Sequence, residues 1–155
     1  MDEVDIKILD ILMENARTPF VEIAKKLKVS EATIRKRVKS LEKRGVIKKY
    51  TIVVDPEKVG YRTIAIVGVD ADPTNFLEVA RKITELKEAR YVATSTGDHM
   101  IMAEIWARDT KHLSQIVEKI GSINGVKKIC PAIILEKLKE ISKIDWQAKT
   151  CSMYH

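Results

Sequence analysis

Cysteine is almost missing from this sequence: Cys130 and Cys151 are the only two in 155 residues. They stand too far apart for a thiolate metal site, and two are too few for a fold stapled by disulfides. We read both as reduced and structural. Long apolar runs are missing too, so no stretch reaches the roughly 20 residues that a membrane-spanning helix needs. Met1 is followed at once by Asp2, Glu3 and Asp5, the reverse of a basic and then apolar leader. No membrane partner and a cytoplasmic location are expected. Glycine (6) and proline (4) are scarce, and with 32% charged and 45% hydrophobic residues the composition is that of a folded protein without long disordered tracts.

Catalytic constellations are also lacking. His99, His112 and His155 are the only histidines, and none has a partner at metal-binding or acid–base spacing. Asp98 and His99 are neighbours, but adjacent side chains on a turn point apart. There is no glycine-rich phosphate loop and no Ser/His/Asp set, so the sequence calls for no metal and no cofactor.

What the sequence does have is positive charge, and it is concentrated. Between Lys25 and Lys49 there are eleven Lys and Arg residues against Glu31 and Glu42 alone. That segment carries a formal +9 while the whole chain carries +6, so the remainder is net acidic. A local excess of this kind is the footprint of a surface that docks a polyanion.

The hydrophobic pattern says what carries that charge. "DEVDIKILDILMENA" repeats Val4, Ile8, Ile11 and Leu12 at helical spacing, with acids in the first turn. In "RTPF", Thr18 reads as an N-cap and Pro19 as the first helical position of a short second helix, "PFVEIAKKL". Ser30 then caps a third helix with Ile34, Val38 and Leu41 on one face, stopped by Gly45. Three short helices, the last two closely joined, make a helix-turn-helix plan. "VIKKYTIVV" has strand composition and "DPEKVG" that of a turn. Beyond them the order is strand, helix, strand, strand, helix, strand. The fold class is therefore α+β: a winged helix-turn-helix at 1–50, a linker strand and turn at 51–61, a ferredoxin-like βαββαβ domain at 62–140 and a tail at 141–155.

Advancing a hundred degrees per residue from Ile34 puts Ala32, Lys36, Lys39 and Lys43 on the far side of the third helix, with Thr33 and Ser40 beside them and Arg35 and Arg37 on the flanks. Short residues near Ser30 would let the helix approach base edges while long cations reach phosphates. A merely solvated basic face is the bland account, and a lysine-rich helix alone would not exceed it. The preceding short helix and the further cations Lys48 and Lys49, where a wing would lie, tip the reading to DNA.

The strands of the second domain are apolar on both faces. Ile64 and Ile66 alternate with Ala65, Val67 and Val69, and Met102 and Trp106 with Ile101, Ala103 and Ile105. Helices can cover one face; a second copy of the chain, or the N-terminal helices folded back, must cover the other. Between two of those strands lies "TSTGDHM". Gly97 and Asp98 account for a hairpin turn, yet the hydroxyls of Thr94, Ser95 and Thr96 and the Asp98 carboxylate are also what a pocket for a zwitterionic amino acid uses. The tail, with Trp146, Cys151 and Tyr154, packs on another subunit or frays.

The stretch from "DEVDIKILDILMENARTPF" through "RVKSLEKRGVI" to "DPEKVGY" resembles the N-terminal half of the Lrp/AsnC, or feast/famine, transcription regulators, and the likeness runs on to about Lys139. "STGDHMIM" stands where that family has a Thr-Gly-Asp-aromatic signature, with His99 in the aromatic position. The high Lys and Glu content resembles archaeal or thermophilic proteins. The resemblance implies a regulator of amino-acid or related metabolism and of its own gene. It implies near-palindromic double-stranded DNA as a partner, and homodimers that pair through the sheet domain and assemble into tetramers or octamers. Ser30, Ala32, Thr33, Arg35, Lys36, Arg37, Lys39, Ser40 and Lys43 would face DNA. A small effector such as an amino acid would lie at Thr94, Ser95, Thr96, Gly97, Asp98 and His99. The same architecture also resembles the sirohaem decarboxylases, which keep both domains but bind a tetrapyrrole, and an architectural DNA binder with little sequence preference remains a third reading.

Overall fold

The computed structural model describes residues 1–140 and 144–146, so Cys151, Tyr154 and His155 lie outside the described residues. The chain divides into two compact units: Met1–Val53 together with Lys139–His155, and Val54–Leu138.

In the first unit α1 spans Glu3–Glu14, α2 Phe20–Leu27 and α3 Glu31–Lys43. A reciprocal capping box starts α1: Asp5 N–H donates to the Asp2 carboxylate at 2.9 Å and Asp2 N–H to that of Asp5 at 3.3 Å. At α2 the expected cap is displaced by one residue. Pro19, at φ −62° and ψ 142°, is itself the N-cap. The Thr18 hydroxyl instead donates back to the Asn15 carbonyl at 2.8 Å, closing the turn after α1. The α2–α3 turn is made by Lys28 in the left-handed conformation (φ 55°), with Val29 N–H returning to the Ala24 carbonyl at 3.1 Å. This is the six-to-one bond of a Schellman stop, normally given to glycine. Ser30 caps α3 as expected, its Oγ accepting from Thr33 N–H at 3.1 Å. After α3, Gly45 is left-handed at φ 69°, and Val46 N–H closes on the Leu41 carbonyl at 2.9 Å.

Ile8, Leu9, Leu12, Ile23, Ala24, Ile34, Val38 and Leu41 form the core of this unit. The three α3 members are 0%, 2% and 0% exposed, which fixes the roll of the helix about its own axis. The segment Val46–Val53, expected as a strand and wing, pairs with no other strand among the described residues. An extended segment with strand composition forms a ladder only beside a partner, and none of the described residues supplies one.

In the second unit a 3-10 turn at Glu57–Val59 precedes β1 (Thr63–Ala71), α4 (Phe76–Thr84), β2 (Ala89–Thr94), β3 (Ile101–Ala107), α5 (Thr110–Gly121) and β4 (Val126–Ile133). The strands form one antiparallel sheet in the order β2-β3-β1-β4, the ferredoxin-like arrangement. Strand alternation has one clear consequence here. Ala65, Val67 and Val69 of β1 and Ile101, Ala103 and Ile105 of β3 are fully buried under Val79, Ile83, Leu113, Ile116 and Ile120 of the two helices. Their neighbours Ile64, Ile66, Met102, Glu104 and Trp106 lie on the opposite face, only partly covered. Pro131 is accepted in β4 because that strand is an edge.

The position of α3 rests on a few apolar contacts, so truncating one is costly. Leu41→Ala is expected to lower the unfolding free energy of the first unit by about 2–5 kcal/mol, read as a fall in the urea midpoint of its helical signal.

Candidate nucleic-acid interface and effector loop

With Ile34, Val38 and Leu41 turned inward, the outer face of α3 presents Ala32, Lys36, Lys39, Ser40 and Lys43, all exposed. Lys36, Lys39 and Lys43 pair with no acid among the described residues. The other two cations of the helix are already engaged. Arg35 reaches one turn back to Glu31 at 2.6 Å and lies 5.4 Å from the centre of the Phe20 ring. Arg37, expected on the DNA-facing flank, is turned onto α1: its Nη1 donates to Asp2 at 2.6 Å and to Asp5 at 2.9 Å. Hydrogen bonds to these two carboxylates raise the Arg37 pKa above its ordinary value. The Asp5 backbone N–H, and then Arg37, hold the Asp2 carboxyl below the ordinary carboxylate range. Arg37 therefore ties α1 to α3. Sequence periodicity put it on a flank and could not show that acids of α1 would claim it.

Ser30 and Thr33 are similarly occupied at one end, their hydroxyls 2.8 Å apart and the Ser30 Oγ capping the helix. Each keeps capacity for one further bond. Tyr50 secures the segment after α3, its phenol donating to the Glu42 carboxylate at 2.8 Å. Its pKa is pushed up to about 12, first by burial and then by that carboxylate. Tyr50 was missed at the sequence level because it lies beyond the Gly45 stop, where the helical period of α3 no longer says which residues meet.

The second candidate region lies on the uncovered sheet face at the end of the β2–β3 hairpin. Thr94, Ser95 and Thr96 line a cavity of about 560 Å³ with Ile66, Met102 and Glu104. The Glu104 carboxylate accepts the Trp106 indole N–H at 2.6 Å. On its far side Trp106 is flanked by Tyr61, with ring centres 5.7 Å apart, and by the Arg90 guanidinium at 4.9 Å. Gly97 and Asp98 do not line this cavity and are exposed at the hairpin tip, where Gly97 N–H donates to the Ser95 hydroxyl at 3.1 Å. His99 is set apart from both. Its Nδ1 lies 3.1 Å from the Asp70 carboxylate, whose other oxygen accepts Met100 N–H at 3.2 Å. The ring rests on Gly68, where an added Cβ would stand 2.1 Å from His99 Cδ2.

His99 therefore fastens the loop to β1, and Asp70, Gly68 and Glu104 belong to the region although spacing did not single them out. A carboxylate interrupting the apolar strands "TIAIVGVDA" and "IMAEIWA" was the available signal. His112, away from this loop, has its Nε2 3.6 Å from Glu88 while its Nδ1 accepts Arg108 N–H at 3.2 Å. Among the described residues no His, Cys, Asp and Glu cluster could hold a metal ion, and no helix is long and apolar enough to cross a membrane.

A basic helix-turn-helix joined to a ferredoxin-like unit with a polar hairpin pocket defines a class: two-domain, ligand-responsive DNA-binding regulators. Comparison with known proteins narrows it. The model of the AsnC-type helix-turn-helix domain matches residues 1–42, and that of the Lrp/AsnC ligand-binding domain matches residues 64–144. HTH-type transcriptional regulator LrpA of Pyrococcus horikoshii is 56% identical over 140 residues, covering 90% of this chain and 99% of its own length. LrpA of Pyrococcus abyssi is 55% identical with the same coverage. Escherichia coli AsnC superposes with a TM-score of 0.86 at 28% identity, covering 92% of this chain and 97% of that one. A transcriptional regulator from Neisseria meningitidis, solved as its L-Met complex, gives 0.83 at 25% identity, covering 93% and 96%. The chain belongs to the Lrp/AsnC family of transcriptional regulators. The LrpA relatives are transcriptional regulators, which supports the regulator reading over that of a tetrapyrrole decarboxylase.

The Asp70–His99 contact makes the loop acid-sensitive. The His99 bond is the largest cause holding the Asp70 pKa below its ordinary value. A depressed folded-state pKa stabilises above the unfolded value, and that contribution is lost as pH falls through the folded one. The urea midpoint of the sheet unit is expected to fall below about pH 4, and Asp70→Asn should flatten that part of the profile. Gly68→Ala should displace His99 and lower the midpoint at neutral pH.

Proposed function

We propose that this DNA-binding regulator acts as a homodimer on near-palindromic duplex DNA, placing α3 of each protomer in the major groove of successive half-sites about one helical turn apart. The observation that carries it is the row Lys36, Lys39 and Lys43, unpaired among the described residues, beside the small exposed Ala32. Cations left unneutralised by the described residues can replace counterions on phosphates, and a short side chain near the helix N-terminus lets base edges come close. Ser30, Thr33 and Ser40 add hydroxyl donors on the same side. Arg35 joins them by exchanging Glu31 for a phosphate, whereas Arg37 contributes by holding α3 to α1.

The partly covered sheet face supports pairing between copies. Ile64, Ile66, Met102 and Trp106 form an apolar surface that a two-fold contact would bury, and dimers would assemble further into tetramers or octamers. A small effector, of which an amino acid is the chemistry best suited, would be held at the hairpin by Thr94, Ser95, Thr96, Gly97 and Asp98. Asp98 would take an ammonium group, backbone N–H groups would take a carboxylate, and His99 would keep the loop in place. The L-Met complex of the Neisseria relative supports that choice of chemistry. Control of its own gene and of amino-acid or related metabolism, in the cytoplasm, completes the reading.

Lys36→Glu is expected to abolish operator binding in a gel shift while leaving the circular dichroism spectrum and the melting midpoint of the native chain, because Lys36 lies off the buried stripe. For the native chain, log affinity should fall by about 0.9 per log unit of salt for each phosphate neutralised, and by one such increment less in Lys36→Ala. Normal binding by Lys36→Glu at moderate salt would place the DNA on another face.

A further inference from the structure

The DNA-binding unit has a second surface, unrelated to the outer face of α3. A groove of about 690 Å³ runs between Leu9, Leu12 and Met13 of α1 and Val46, Tyr50 and Ile52 of the segment after α3, and Ile144 and Trp146 of the tail enter it. Trp146 packs against the buried cluster that includes Ile8 and Ile34, and its indole N–H donates to the half-buried Asp10 carboxylate at 2.8 Å. The walls are otherwise poorly covered: Met13 is 38% exposed, Val46 40% and Ile52 79%. An apolar groove with one acceptor set in its wall suits an indole, which has a large apolar body and a single N–H to satisfy.

We propose that residues 144–146 act as a strap whose buckle is Trp146, seated in this groove of its own DNA-binding unit and sealing the α1 side of the helix-turn-helix core. The chain passes between the two units at Val53–Val54 and returns at Leu138–Lys139. A seated Trp146 thus anchors the DNA-binding unit through a second length of chain. Docking within one chain needs little binding free energy, because the tether supplies a high effective concentration. One aromatic anchor and one hydrogen bond can also be released again. The functional consequence rests on the regulator reading above. A DNA-binding unit tethered twice tolerates fewer half-site spacings than one tethered once.

The test uses the full chain. Subtracting the emission of Trp146→Phe from that of the native protein isolates Trp146, and its quenching by acrylamide should be weaker in buffer than in urea. Trp146→Ala and truncation after Glu140 should each lower the melting midpoint of the helical unit by about 4–8 °C. Trp146→Phe, which keeps the apolar body, should lower it less, and Asp10→Ala should raise the quenching of Trp146. On duplexes whose half-sites are moved apart by a few base pairs, Trp146→Ala should narrow the affinity gap between optimal and altered spacing several-fold. Equal quenching in buffer and urea, or truncation that leaves the midpoint unchanged, overturns the strap. Should the native chain ignore duplex DNA, the regulator reading falls, and the quenching and melting results still decide whether Trp146 is seated.

Discussion

Burial of three side chains, Ile34, Val38 and Leu41, governs what α3 can do. A helix rotated by a fraction of a turn would aim Lys36, Lys39 and Lys43 into the core or along the surface of its neighbours. The apolar stripe prevents that, since each fully buried side chain contributes about 1.5–3 kcal/mol that a rotation would forfeit. The stripe sets the roll but not the position along the α1–α2 platform. That is set by polar contacts of fixed reach: the Ser30 cap at one end, the Arg37 fork on Asp2 and Asp5 in the middle, and Tyr50 on Glu42 near the other end. The charged outer face is thus positioned by contacts made at the ends and on the inner side of the helix.

The fate of the two arginines on α3 shows how little a charge count says about a binding surface. Arg35 and Arg37 add as much formal charge as two lysines, yet both have carboxylates within hydrogen-bonding distance. A guanidinium carries several N–H donors fixed in one plane, and a single nitrogen of Arg37, Nη1, serves two carboxylates at once. Using Arg for the internal tie and Lys for the outer face therefore divides the work: the planar group is spent where geometry matters, and the flexible point charges are left where a sugar–phosphate backbone must be followed.

Long periodic elements and caps were legible in the sequence because they rest on neighbours in the chain. Ser30, Gly45, the α3 stripe and the βαββαβ order all follow from local spacing. What was not legible depends on partners distant in sequence. Arg37 meets Asp2 across 35 residues, His99 meets Asp70 across 29, and Trp146 meets Asp10 across 136. Thr18 was misjudged for the opposite reason: two local options, capping α2 or closing on Asn15, compete within four residues, and composition does not rank them. In the effector loop the residue types were found, but not which of them share a cavity. The hairpin directs Thr94, Ser95 and Thr96 to the open sheet face, while Asp70 draws His99 to β1.

The open sheet face and the unpaired segment Val46–Val53 pose the same physical question on two units. Each has the composition of a buried or paired element, and neither meets a partner strand or layer that covers it among the described residues. On the sheet the apolar rows of Ile64, Ile66, Met102 and Trp106 are interrupted by Glu104, which lessens its own desolvation by accepting the Trp106 indole, and Asp70 further along β1 is held by His99 and Met100 N–H. A face whose carboxylates already have partners can be covered at lower electrostatic cost, whereas an isolated carboxylate would resist burial. In the other unit the tail's Trp146 finds its polar partner in Asp10 before its ring is covered. In both places an indole N–H and a carboxylate neutralise each other's hydration demand. The surface left behind is apolar enough to be covered, by a second copy of the chain in one case and by Ile144 and Trp146 in the other.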